Sequence, residues 1–155
     1  MSQENLYLEN RKVLKVSGLN CVDFLNNILT SDISKLKPLE TIPAALLSPQ
    51  GKVLYDILVS LEFQNYSEDK SILIEYDLFC ENELIKKLNI YNLRKEVKIG
   101  KTNYYVHVSI NTKCSKNSLK DKRFLNTNVN INRIYYEKKP INSIDKSYTS
   151  NWYDL

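Results

Sequence analysis

Asp56 is the residue whose type and position ask for a chemical explanation. It stands in the run Val53-Leu54-Tyr55-Asp56-Ile57-Leu58-Val59, which otherwise reads as a strand buried on both faces. A carboxylate there must be hydrogen-bonded, paired with a cation, or turned toward a space that admits a polar ligand. It could lie on the solvated side of an edge strand, cap a neighbouring backbone group, or face a binding site. In the last case it would accept hydrogen bonds from the N–H groups of a small molecule. Other chemistry is sparsely equipped. The only histidine is His107, and Cys21, Cys80 and Cys114 are odd in number and far apart. These exclude a self-contained His/Cys zinc site, most catalytic triads and a disulfide framework, and point to reduced, intracellular thiols.

The element that must position Asp56 is a hairpin. Ile42 to Leu47 and Lys52 to Phe63 are apolar runs joined by Ser48-Pro49-Gln50-Gly51, where proline presets φ and glycine tolerates the positive φ of a closing turn. Before it, Arg11 to Ser17 reads as a strand ending at Gly18. Asn20 then opens a helix whose apolar face is Val22, Phe24, Leu25, Ile28 and Leu29, and Thr30-Ser31-Asp32 ends it. Asp32 to Leu36 is a short turn or helical piece. After the hairpin, Ser71 to Tyr76 is a strand, and Asp77 caps a helix reaching about Ile90, with Leu78, Leu84, Ile85 and Leu88 as its stripe and a solvated Glu/Lys face. Strands over Lys95 to Ile99 and Tyr104 to Ile110 flank a turn at Gly100. His107 alternates with Val106 and Val108 and so points outward or into a polar pocket. Asn111 to Lys122 reads as an exposed basic loop, and Phe124 to Tyr136 as the last strand-rich part, interrupted by Asn126-Thr127-Asn128.

Length and composition bound the rest. The 155 residues, 43% of them hydrophobic, suit one domain with a proper core. Net charge is +4 but uneven, −4 over residues 1–90 and +8 over residues 91–155. The positive half could attract anionic partners, but dispersed lysines on a solvated surface explain it as well, and no direct nucleic-acid binding is expected. No apolar run approaches the length of a membrane span and the amino terminus has no targeting pattern, so neither export nor membrane insertion is expected and the cytoplasm is the expected location. The domain is expected over 1–136, followed at 137–155 by a polar linker and the capped start of a helix at Tyr148 to Leu155.

Laid end to end, these pieces resemble a known family. A strand ending at Gly18, a helix closing on Leu29-Thr30-Ser31-Asp32-Ile33, the turn Leu46-Leu47-Ser48-Pro49-Gln50-Gly51-Lys52-Val53 with Asp56, and Tyr91-Asn92-Leu93-Arg94 before Val97 and Ile99 occur in the order of the amino-terminal half of the YgfZ/GcvT-type folate-binding family. The resemblance covers about residues 11–135 and is closer to the YgfZ branch. Aminomethyltransferases of the other branch carry an acidic pair where this chain has Tyr55-Asp56. The resemblance implies an α+β fold of mainly antiparallel sheets with packed helices. It implies tetrahydrofolate binding in a central cavity and a role in assembling or repairing iron–sulfur clusters, with indirect effects on tRNA modification. Asp56 would hold the pterin, with Thr30, Asp32 and Gln50 lining the site, no catalytic residue, no resident metal, and iron–sulfur assembly proteins as partners. The Lys-Gly-Cys-x-Gly-Gln-Glu segment of the YgfZ branch is not in the chain, so the reactive thiol it carries is missing here. Binding is favoured over catalysis; the alternatives are an aminomethyltransferase-like one-carbon transferase and a module that binds RNA or acidic partners.

Overall fold

The computed structural model describes residues 4–62, 70–111 and 116–138. The strands are β1 (Glu4–Tyr7), β2 (Arg11–Ser17), β3 (Glu40–Leu47), β4 (Val53–Leu61), β5 (Ser71–Asp77), β6 (Lys98–Lys101), β7 (Tyr105–Ile110), β8 (Leu119–Asp121) and β9 (Ile131–Tyr136). Among the described residues two α-helices accompany them, α1 (Cys21–Ile28) and α2 (Glu81–Tyr91). All nine strands join one sheet in the order β1-β7-β9-β8-β3-β4-β5-β2-β6. Where several mainly antiparallel sheets with packed helices were expected, the chain forms a single, curled, strand-rich sheet. It is mixed, because β3 and β8 pair in parallel through Glu40 with Lys120 and Thr41 with Asp121.

The curl follows from where the chain returns. Leu8 donates its backbone N–H to Val106 O at 2.9 Å, and Thr102 donates to Val13 O through its backbone N–H at 3.2 Å and its Oγ1 at 2.7 Å. These bonds bring the start of β7 against β2, from across the sheet order. The period-two alternation of strands then yields two cores. Leu14, Val16, Ile57, Val59, Ile72 and Ile74 point to the outer face, where Leu25 of α1 and Leu84 and Leu88 of α2 lie in the same cluster. Val13, Leu73, Val106, Val108 and Ile131 point inward and meet across the curl, with Phe124 and Tyr135 against them.

The hairpin forms with Ser48 N–H donating to Lys52 O at 2.7 Å and Gly51 at φ 80°. Its second strand departs from the expected burial. Ile57 to Ser60 are buried, whereas Val53, Leu54 and Asp56 are exposed, because β5 pairs β4 only from Leu58 to Leu61 and leaves its first half uncovered. Two further expectations are corrected. Gly100 makes no turn but pairs with Lys15 inside β6. The segment taken for an exposed loop contains β8, whose Leu119 and Asp121 are buried because β3 and β9 bind it on both sides. β1 has no counterpart in the sequence reading. Among the described residues, no helix is long and apolar enough to cross a membrane. β9 ends at Tyr136; the linker and helix start expected over 137–155 lie, from residue 139 on, outside the described residues, as does Cys114.

Candidate functional site

The four residues expected at the site lie in different settings. Asp56 is exposed, on the inward-facing row of β4 opposite Ala45 of β3. Thr30 lies on the far side of Ala45: its Oγ1 accepts the Ala45 N–H at 2.9 Å and its own N–H donates to Ala45 O at 3.0 Å. Thr30, Ala45 and Asp56 thus form one row, which sets Thr30 roughly 10 Å from Asp56 at two interstrand spacings. Asp32 caps the one-turn 3₁₀ helix Ile33–Lys35, accepting from Ser34 N–H at 3.1 Å and pairing with Lys35 at 3.2 Å. Gln50 is exposed at the tip of the hairpin. The structure therefore brings Thr30 near the Asp56 row, while Asp32 and Gln50 have local roles in a cap and a turn.

Beside Asp56 the inward face carries a group that the sequence reading passed over. Every residue of β5 from Ser71 to Tyr76 is buried, and one of them is Glu75, at 0% exposure. Leu58 pairs with Glu75 and Glu75 with Val13, so one step further along the same face come Asp56, Asp77 and Arg11, the last two being register partners. Glu75 accepts from Arg11 Nε at 2.9 Å, Arg133 Nη1 at 3.1 Å and Tyr135 Oη at 3.0 Å. Arg133 Nε also donates to Asp121 Oδ2 at 3.3 Å. Asp121 in turn accepts from Arg123 in two bonds, Nε to Oδ1 at 3.0 Å and Nη2 to Oδ2 at 2.7 Å. The result is a chain of alternating charge, Arg11–Glu75–Arg133–Asp121–Arg123, buried at its centre and partly exposed at its two terminal arginines.

The electrostatics follow from that alternation. Burial works to raise the Glu75 carboxyl, but the charges of Arg133 and Arg11 and the bonds from Arg11 and Tyr135 outweigh it and hold it below the usual carboxylate range. Asp121 behaves alike, burial being overcome by the Arg123 bonds and charge and by Arg133. Burial disfavours the charge of Arg11, yet Glu75 and, more weakly, Asp56 keep its pKa above the ordinary guanidinium value. Arg123 is raised against the same penalty by Asp121, Glu75 and Asp56. Asp56 therefore acts on both ends of the chain, and six charges of alternating sign surround one end of the curl.

Other chemistry-bearing residues are engaged structurally. His107 is buried on the outer face, stacked on Tyr7 at 5.2 Å and edge-on to Tyr136 at 5.2 Å, and desolvation lowers its pKa, which keeps it neutral. Cys80 Sγ donates to Asp77 O at 3.1 Å, and burial together with the Asp77 charge raises its pKa, so it is a thiol and not a thiolate. Glu81, expected on a solvated face, accepts from the buried Tyr76 hydroxyl at 2.6 Å and pairs with Lys101. An open cleft of about 560 Å³ between α1 and the segment after α2 is lined by Asp23, Phe24, Asn27, Tyr91, Arg94 and Glu96, away from Asp56. Of its polar groups, Asn92 bonds both backbone groups of Val97, at 2.8 and 3.4 Å, and Arg94 pairs with Glu96 at 3.8 Å.

A curled mixed sheet with two helices on its outer face is a fold shared with part of a solved aminomethyltransferase. The crystal structure of glycine cleavage system aminomethyltransferase T from Bartonella henselae superposes with a TM-score of 0.59 and 16% identity over 69% of this chain and 28% of that one. Two curated relatives match in sequence. The mitochondrial iron–sulfur cluster assembly factor IBA57 homolog of Yarrowia lipolytica is 29% identical over 98 residues, covering 62% of this chain and 20% of that protein. That of Mycosarcoma maydis is 26% identical over 106 residues, covering 63% and 26%. The chain thus spans about a fifth to a quarter of the length of these relatives. No family model matches it. The fold is that of the glycine cleavage system aminomethyltransferase.

Proposed function

We propose that this chain is a tetrahydrofolate-binding module of the YgfZ type that acts in iron–sulfur cluster assembly and, through it, indirectly on tRNA modification, in the cytoplasm. The observation that carries the proposal is an exposed carboxylate, Asp56, at one end of the charged inner face of a GcvT-type fold. The iron–sulfur role is supported by the names of both curated relatives.

The donor set suits a reduced pterin. Its pyrimidine edge presents adjacent N–H groups that a single carboxylate can accept in parallel, and Asp56 has two oxygens to offer. Leu54, two residues away on the same face, is exposed, as are Leu78 and Phe79 just past the end of β5. Leu54 provides apolar surface beside that acceptor. In the proposed complex Asp56 binds and orients the ring, and bound tetrahydrofolate supplies a reduced pterin able to carry a one-carbon unit. No residue here is assigned a bond-making role. The likeness to the aminomethyltransferase concerns the fold alone, and the single acid in Tyr55-Asp56 favours binding over transfer.

Calorimetric titration of the full chain with tetrahydrofolate tests the ligand. Saturable binding is expected, weakened about tenfold or more in Asp56→Asn through loss of charge-assisted bonds of about 1.5–3 kcal/mol. Equal affinity in the two proteins, or no saturable heat, would end the reading. For the pathway, cells lacking the protein should lose activity of iron–sulfur enzymes while enzymes without clusters keep theirs.

A further inference from the structure

The open cleft of about 560 Å³ between α1 and the segment after α2 has fixed walls. Gly18 lies so close to the far wall that a Cβ there would stand 3.0 Å from Glu96 O. Asn20 donates through Nδ2 to Glu96 Oε2 at 3.4 Å, and Asn92 holds both backbone groups of Val97. Lys95, at φ 51°, donates its N–H to Asn92 O at 3.0 Å and closes the turn between them. On the other side Asn26 Oδ1 accepts the Ile33 N–H at 2.6 Å and ties the end of α1 to the segment that follows it. Walls bonded in this way keep their separation, so the cleft is formed before anything enters it.

Its chemistry is that of a cation acceptor beside apolar surface. Asp23 and Asn27 line the cleft from α1, one helical turn apart and so on one face. Among the described residues neither has a hydrogen-bond or ion-pair partner. Phe24 lines the cleft with them. Tyr91 already carries a cation, with Lys87 Nζ 5.7 Å from its ring centroid, whereas no described cation lies over Phe24. Arg94 is the one cation among the lining residues; it is 87% exposed and reaches Glu96 only at 3.8 Å, a pair that contributes little. Two carboxylates, Asp23 and Glu96, thus face one weakly held guanidinium. At the rim, Leu93 and Leu19 are 84% and 78% exposed, on backbone that the bonds above hold in place. An apolar neighbour can cover them without ordering the chain that presents them.

We propose that this cleft docks a protein partner through an arginine flanked by apolar residues. The guanidinium lies over Phe24 and donates to the Asp23 carboxylate and the Asn27 amide oxygen, and the flanking side chains cover Leu93 and Leu19. Arginine suits the site better than lysine because its planar fork serves a carboxylate and an amide oxygen at once and stacks on a ring. The inference goes beyond the folate reading and does not depend on it. The isotope-labelled full chain is titrated with a blocked tripeptide in which arginine stands between two leucines, and backbone amide resonances are followed. Saturable shifts confined to residues 19–28 and 91–97 are expected. Citrulline in place of arginine, which keeps the shape and removes the charge, should bind about fivefold more weakly or worse. Serine in place of both leucines should weaken binding about threefold or more. Asp23→Asn should bring the arginine and citrulline peptides to equal affinity, while a thermal melt shows the variant folded. Absence of saturable shifts in the two segments, equal binding of the arginine and citrulline peptides by wild type, or an unchanged preference in folded Asp23→Asn overturns the proposal. Equal binding of the leucine- and serine-flanked peptides overturns it as well, since the cleft then holds a bare cation and not a protein segment.

Discussion

Removing the Glu75 carboxylate is the sharpest test of the charged inner face. The side chain is fully buried and accepts three bonds, at 2.9, 3.1 and 3.0 Å, from Arg11, Arg133 and Tyr135. In Glu75→Ala the Arg133 guanidinium, 5% exposed, keeps Asp121 but loses its second counter-ion in a site that water does not reach. Uncompensated buried charge of this kind costs about 3–5 kcal/mol, against a total stability of about 5–15 kcal/mol for an ordinary domain. At this chain length that corresponds to a fall in Tm of roughly 6–20 °C. Urea unfolding followed by circular dichroism reads the loss directly as a shift of midpoint. Glu75→Gln keeps an acceptor and the side-chain volume and should lose about 1.5–3 kcal/mol. The decisive variant is Glu75→Leu with Arg133→Leu. It removes the charge pair together and leaves Asp121 to Arg123, so it should be destabilised by at least about 1.5 kcal/mol less than the sum of the single changes. A loss below about 1 kcal/mol in Glu75→Ala, or additivity in the double variant, would refute the claim that these charges depend on one another.

Acid should unfold the protein through the same groups. The Glu75 and Asp121 carboxyls sit below their ordinary range in the fold. Their contribution is therefore complete above about pH 4–5 and is lost as pH falls through the lower folded values, so Tm should drop on acidification, less steeply in Glu75→Gln than in wild type. Gly18 has φ +124°, and a Cβ there would stand 3.0 Å from Glu96 O, so Gly18→Ala should cost about 1–3 kcal/mol, read by urea midpoint. Thr30→Val removes the acceptor of the Ala45 N–H. It should lower stability by about 0.5–1.5 kcal/mol and leave tetrahydrofolate affinity within twofold, since the Thr30 hydroxyl is spent within the fold; a larger effect on affinity would place Thr30 in the site itself.

Much of the fold was legible because it is locally written. Gly18 ends β2, the apolar spacing of Leu25 and Leu84 marks α1 and α2, and Ser48-Pro49-Gln50-Gly51 closes the hairpin between β3 and β4. What misled was tertiary. A run such as Val53 to Val59 carries no sign of where its partner strand stops, so Val53 and Leu54 read as buried although the pairing of β4 with β5 begins only at Leu58. Leu119 to Asp121 is three residues in a lysine-rich stretch, and only the strands on either side of it make it β8. Gly100, read as a turn, extends an edge strand. His107 showed its alternation but not the tyrosines that enclose it.

The site was half legible for the same reason. Asp56 stood out because its neighbours in sequence are apolar, a contrast visible in one strand. Glu75 has the same contrast, between Ile74 and Tyr76, but the helix cap at Asp77 two residues on offers that stretch a local explanation that masks it. Arg11, Asp121, Arg123 and Arg133 look like ordinary surface charges, since their partners are 12 to 64 residues away or lie within a segment read as loop. Only the curl, which brings β9 and β8 over β5 and β2, turns them into one chain. The signal that could have found them is the parity of the strands. Taken with the alternation of Val13, Leu73 and Val108, Arg11, Glu75 and Arg133 fall on the inward parity of β2, β5 and β9, and a cation, an anion and a cation on one enclosed face have to meet or leave bare charge in the core.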